Sequence, residues 1–279
     1  MDKLVGGISN IKIFDNTLFH LEDTYQQYQE YLDNLLKLEP KYMKYFLITL
    51  KNREIVNNQE TELEESFLVE LYQLSQRKDS IDIMMKNFDD GKITKEELKK
   101  IHRVVIKGSV DDIPENHDYR ADNNKWVGYY GTNGEQRVDY MPPDYQEIDE
   151  LIDYTLDFLN DKSENNLFDN IFIKPLIVHA LIAYIQPFGN GNTRLARVVQ
   201  HGKIWQLSKE NLTIDLPYPS LYLSKNYLLT RPQYRGIIRN LAIEKDDNAW
   251  NKWFNYNLNM VDEQLFNLGK NLEMYRKSL

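Results

Sequence analysis

LIVHALIAYIQPFGNGNTRLARVVQHGKIWQL, residues 176–207, decides how the chain is read. Residues 176–185 are apolar on every side apart from His179, the pattern of a helix buried inside a bundle. Gln186-Pro187-Phe188-Gly189-Asn190-Gly191-Asn192 interrupts it with a Gly/Asn turn, and a second helix is predicted from about Thr193. A small-residue turn that opens a helix leaves backbone N–H groups without intrahelical partners, and the helix dipole adds positive charge at the same place. Arg194 and Arg197 lie three apart in the first turn. Together they suit a di- or triphosphate. A plain helix corner whose arginines pair with acidic surface reads from the same residues, so both readings stay open at this point.

Working outward, apolar residues recur at three- and four-residue steps. Helices are predicted over about 19–37, 41–52, 61–77, 80–87, 94–107, 145–160, 171–185, 193–208, 223–229, 231–244 and 247–276. Thr94 with Glu97 three residues later has the form of a capping box. One segment departs from helical spacing. Lys125 to Tyr130, a Gly131-Thr132-Asn133-Gly134 turn, and Glu135 to Tyr140 read as a β-hairpin that Pro142-Pro143 ends. The expected fold class is mostly α with one hairpin.

Composition narrows the function classes. The 279 residues carry 34 Lys+Arg against 43 Asp+Glu, a net charge of −9, which argues against a general nucleic-acid coat or a polybasic membrane binder. With no cysteine there is no disulfide, thiolate metal site or Cys nucleophile. The longest apolar run, of about ten residues, falls short of the roughly twenty a membrane span needs. A cytoplasmic protein is expected, with no membrane or nucleic-acid partner.

Residues 186–197, Gln-Pro-Phe-Gly-Asn-Gly-Asn-Thr-Arg-Leu-Ala-Arg, resemble the signature of the Fic (Fido) family, His-Pro-Phe-x-(Asp/Glu)-Gly-Asn-Gly-Arg-x-x-Arg. Two further matches fall in order. Tyr119-Arg120, Trp126-Val127-Gly128 and Tyr140-Met141-Pro142-Pro143 resemble the family's flap, and Leu221-Tyr222-Leu223-Ser224 with Tyr234–Trp253 resemble its later helices. The resemblance covers about residues 95–260. It implies a Fic-type helical bundle: an N-terminal helical region over 1–94, the Fic domain over 95–245 and a C-terminal helical extension over 246–279. It also implies a protein adenylyltransferase, which takes ATP with Mg2+ and moves AMP to a Ser, Thr or Tyr hydroxyl of a target protein. On this resemblance Gln186 stands at the general-base position, and Asn190 at the metal ligand. Gly189, Asn190, Gly191, Asn192, Thr193, Arg194 and Arg197 meet the nucleotide phosphates. Trp126, Val127, Gly128 and Tyr140 belong to the flap that holds the target as an added strand.

The departures point away from full activity. A Gln amide is no usable base, and loss of a general base costs on the order of 10²–10⁴-fold. Asn190 keeps an oxygen without the charge, a weak ligand for a hard cation. Thr193 adds a Cβ where backbone should approach phosphate. The resemblance therefore implies weak or lost AMP transfer with retained binding of nucleotide, target or a partner Fic protein. The alternative is an active nucleotidyl- or phosphotransferase with an altered mechanism. His179 reads as a core histidine two helical turns from Gln186. Many relatives carry an inhibitory Ser/Thr-x-x-x-Glu-Gly/Asn helix. Laid on it, residues 52–58 put Val56 at the glutamate, with Glu54 displaced by about 200° around the helix, so the brake is expected to be lost.

Overall fold

Residues 2–60, 79–89, 91–161, 163 and 166–279 are described by the computed structural model; the helix predicted over 61–77 lies outside them. The expected helices form, most within a few residues of their predicted ends. After a short, unpredicted α1 (Lys3–Gly6), they are α2 (Asp15–Leu36), α3 (Pro40–Glu60), α4 (Asp79–Asp89) and α5 (Lys95–Ile106). After the hairpin β1 (Val127–Tyr130) and β2 (Gln136–Tyr140) come α6 (Ile148–Asn160), α7 (Ile173–Ile185), α8 (Asn192–Leu212), α9 (Ser224–Leu229), α10 (Arg231–Glu244) and α11 (Asp247–Lys277). The largest boundary difference is in α3, predicted to stop near residue 52 and found to run to Glu60.

α7 is the axis. All thirteen of its residues are buried, as an all-round apolar sequence requires. Its one charge, Lys174, is held by Asp169 at 2.7 Å and by the Asp161 carbonyl at 2.5 Å, so the buried ammonium is paired. His179 is a core residue as expected: its Nδ1–H donates to Gln200 Oε1 at 2.5 Å and its Nε2 accepts from the Tyr234 hydroxyl at 3.1 Å. Around α7 pack α6, α8 and α10, while Trp253 of α11 is fully buried and donates its indole N–H to the Leu176 carbonyl at 2.9 Å. α2 lies along α11, where His20 bridges Asn255 and Asp262 and Thr24 donates to Asp262.

The α5 start is the predicted capping box. The Glu97 N–H donates to Thr94 Oγ1 at 3.3 Å, and the Thr94 N–H returns to Glu97 Oε2 at 2.7 Å. The hairpin pairs antiparallel with Gly128 opposite Val138 and a bulge between Val127 and Gly128. Only glycine fits position 128, since a Cβ there would stand 2.0 Å from the Arg137 carbonyl oxygen. Among the described residues no helix is long and apolar enough to cross a membrane.

Candidate functional site

The turn between α7 and α8 is built by its own side chains. Gln186 ends α7 in the left-handed region (φ 49°, ψ 59°). Its Nε2 donates to the Ala183 carbonyl at 2.7 Å, and its Oε1 accepts from Asn192 Nδ2 at 3.0 Å. Asn192 also bonds both the N–H and the carbonyl of Phe188, at 2.9 Å each, which closes the turn into a rigid loop. Gly191 has φ +78°, and a Cβ there would lie 2.4 Å from Ile106, so shape and conformation both demand glycine. His102 stacks on Phe188 at 3.7 Å and donates Nε2–H to the Asn190 carbonyl at 2.8 Å. Burial pushes its pKa down to about 4, so it ties the turn as a neutral ring.

The chain entering the hairpin is stitched to that turn. The Arg120 N–H donates to the Pro187 carbonyl at 2.9 Å, and its guanidinium reaches the Gln186 carbonyl at 3.0 Å and the Pro143 carbonyl. Tyr140, at the far end of β2, donates its hydroxyl to the Ala183 carbonyl at 2.7 Å. Both ends of the hairpin are thereby fixed over the C-terminus of α7, while Tyr129, Tyr130 and Val138 along it stay exposed.

Between hairpin and helices lies a cavity of about 230 Å³. Of the residues expected at the site, Gln186, Thr193, Arg197, Trp126, Val127, Gly128 and Tyr140 line it. Gly189, Asn190, Gly191 and Asn192, also expected at the site, belong to the turn and do not line the cavity. Arg194 corrects the expectation of a guanidinium pair. It is buried and ion-paired with Asp111, so it braces the start of α8 while Arg197, one turn on, faces the cavity. The sequence reading missed Lys125, Tyr227, Arg231, Tyr234 and Arg235, which also line it. Arg231 and Arg235 are four apart on α10, and that i, i+4 cationic stripe was the signal available. Asp139 is the one carboxylate in the wall among the described residues, and it pairs with Arg235 at 2.6 Å.

Residues 92–201 match the family model described as the Fic/DOC family. The chain carries a Fic domain. Solved structures agree with the fold at low identity. A Fic-domain-containing signalling protein from Bacteroides thetaiotaomicron gives TM-score 0.63 at 14% identity, covering 91% of this chain and 97% of its own. A Fic family protein from Desulfovibrio desulfuricans gives 0.59 at 18%, covering 92% and 74%. Fic-1 from C. elegans (residues 134–508) gives 0.56 at 15%, covering 94% and 72%.

Within this Fic domain no histidine among the described residues lines the cavity. His179 and His201 are buried and held neutral, His179 pushed down to about 3 by burial and His201 well below its usual range. Tyr140 and Tyr227 do face the cavity, but burial raises both far above the usual phenol range, the wrong direction for a base.

The donor set does not fit the divalent cation that the family resemblance implies. Asn190 Oδ1, the expected weak metal ligand, already accepts from the Lys125 ammonium at 3.2 Å, and the adjacent Gly189 carbonyl accepts from the same group at 2.6 Å. Among the described residues no cluster of three His, Asp or Glu stands ready for a metal.

Glu54, displaced around α3 from the Val56 position, points inward and is buried. Its Oε1 accepts from the Ser224 hydroxyl and lies 3.3 Å from His201 Nδ1, which carries the ring proton because Nε2 accepts from the Leu223 N–H. Desolvation raises its pKa to about 8, against lowering by Ser224 and by the charge of Arg197. The helical-wheel argument fixed the angle of Glu54 relative to Val56 but not which side of α3 meets the Fic core. The side chain of Val56 lies outside the described residues.

Proposed function

We propose that this Fic domain binds a nucleotide through its phosphates, with AMP transfer weak or absent, and holds a protein partner along its flap. One observation carries the reading. The group at the base position, Gln186, is a neutral amide locked to Ala183 and Asn192, in a cavity whose wall brings Lys125, Arg197, Arg231 and Arg235 together. Cations in a half-closed cavity favour phosphate, while the missing base removes the step that would activate a target hydroxyl. ATP is the ligand the family resemblance suggests, and a cytoplasmic setting accords with it.

Titration calorimetry with ATP tests the binding half. Arg197→Ala should weaken affinity by roughly 1.5–3 kcal/mol, the loss of a hydrogen bond to a charged group. Melting temperature controls for folding, since Arg197 is buried. Equal absence of binding by wild type and variant at millimolar ATP would sink the phosphate reading. Label from ATP appearing on any protein in a lysate would instead favour an active transferase.

The partner half rests on the exposed two-stranded flap, whose outer backbone edges can take a further strand. Amide exchange over residues 127–140 should be fast in the free protein and slow once a partner is bound. Unchanged exchange on adding a captured partner would place that partner elsewhere.

A further inference from the structure

We infer that the chain has a second binding site, a polar cavity between α3, α9 and α11 that takes a free α-amino acid, ammonium inward and carboxylate at the rim. The cavity shares no lining residue with the one under the flap, so the inference stands apart from the phosphate-binding reading.

This cavity has a volume of about 430 Å³. Three of the side chains lining it each carry a buried polar atom with no hydrogen-bond partner among the described residues. They are Glu54 Oε2 on α3, the Tyr222 hydroxyl just before α9, and Asn226 Oδ1 on α9. Each of these residues is 5% exposed or less. Their other contacts fix how each is turned. The second oxygen of Glu54 accepts from the Ser224 hydroxyl, and Asn226 gives Nδ2 to Glu263 at 3.4 Å, which leaves Oδ1 as its unmet end. Tyr222 packs edge-on against His201. Burying a polar atom without a partner costs free energy, and three such atoms around one cavity point to a ligand that meets them.

The chemistry of the walls names the ligand class. Asn226 Oδ1 only accepts, the Tyr222 oxygen can accept, and Glu54 Oε2 accepts once its carboxyl is ionised. Such a set calls for a group with several donors, and an ammonium carries three. At the rim the sign reverses. Arg53, Lys225 and Lys270 are exposed around the cavity with Glu263, a balance that suits a carboxylate. Leu50, Leu268 and Met274 add apolar wall for a side chain. A plain amine would satisfy the floor and not the rim, and a plain acid the rim and not the floor. Burial keeps Glu54 protonated near neutral pH, its pKa raised to about 8 against the Ser224 hydroxyl and N–H and the charge of Arg197. His201 beside it is neutral and Tyr222 stays a phenol. An ammonium at Oε2 favours the carboxylate, so binding expels that proton.

The test is melting temperature with each of the common free amino acids at millimolar concentration, followed by calorimetry on the one with the largest shift. At least one should stabilise the chain, and its deaminated acid and decarboxylated amine should each bind about tenfold or more weakly. Heats should differ between phosphate and Tris buffers, which take up the expelled proton with different enthalpies. Glu54→Gln should weaken binding about ten- to a hundredfold, and Tyr222→Phe about two- to tenfold. Without ligand, Tyr222→Phe should melt no lower than wild type, because the hydroxyl it removes has no partner. A lower melting temperature would mean that ordered water already satisfies the cavity, and would overturn the inference. So would the absence of any shift across the amino acids. Equal affinity of wild type and Glu54→Gln, or equal heats in the two buffers, would overturn the place given to the ammonium. An amine or acid that binds as tightly as the amino acid would overturn the zwitterion.

Discussion

Chains carrying Gln186→His, Asn190→Asp, Thr193→Gly and Lys125→Ala together will label themselves with AMP when given ATP and Mg2+, while the wild-type chain will show little or no label. The base alone is worth about 10²–10⁴-fold, and the other changes supply what it needs to act on. Asn190→Asp restores a charged oxygen, Lys125→Ala keeps that oxygen from being neutralised, and Thr193→Gly clears the Cβ from the cavity wall. The backbone tolerates the key change. Position 186 has φ 49°, and histidine is among the residues that enter this left-handed region most readily. Its cost is the pair of amide bonds to Ala183 and Asn192, so thermal melting should accompany the assay. Adding Arg197→Ala should abolish the label. A folded variant that binds ATP with Mg2+ and transfers nothing would mean that these groups do not explain the loss.

Stability of the wild-type chain should peak near pH 6.5, and Glu54→Gln should remove the decline on the alkaline side. Two sets of buried groups act with opposite sign. Native His102, His179 and His201 are held neutral with pKa values lowered to about 4, to about 3, and well below the usual range. The unfolded chain binds protons at these sites below its ordinary value near 6.5, so stability rises with pH up to that point. Glu54 has its native pKa raised from 4.5 to about 8. Its stabilising effect is fully present below pH 4.5 and is lost as pH rises through 8. Between 4.5 and 6.5 the three histidines outweigh it; above 6.5 Glu54 acts alone among these four. Its full effect is on the order of 3–5 kcal/mol. Urea titrations between pH 5 and 9 read the curve directly, over a span of about four units within which most domains vary least. Glu54→Gln keeps an oxygen for Ser224 and should hold its stability constant between pH 6.5 and about 8, where buried Lys203, its pKa lowered to about 8, begins to add a rise of its own. A wild-type chain equally stable at pH 6.5 and 8, or a variant that declines in parallel with it, would show that Glu54 is not buried as described.

Much of this was legible in the chain, and the reason is local. Helix spacing, the Thr94–Glu97 cap, the Gly/Asn hairpin turn and the all-round apolar run before Gln186 are short-range patterns that dictate backbone form without tertiary help. The replacement of the base position by Gln186 is a fact of composition at one site and needed no fold to read. What the sequence could not decide was direction. Arg194 and Arg197 share a first turn, yet only packing against Asp111 turned one into a brace and left the other in the cavity. Glu54 reads as an ordinary helix carboxylate until α3 docks on α9 and buries it against Ser224 and His201. Lys125 is 64 residues from Gly189 and carries no motif, so the ammonium that meets Asn190 exists only once the flap base is stitched to the turn through Arg120. Periodicity fixes which residues share a helix; which faces meet is set by long-range burial, where each side chain's partner comes from a distant part of the chain.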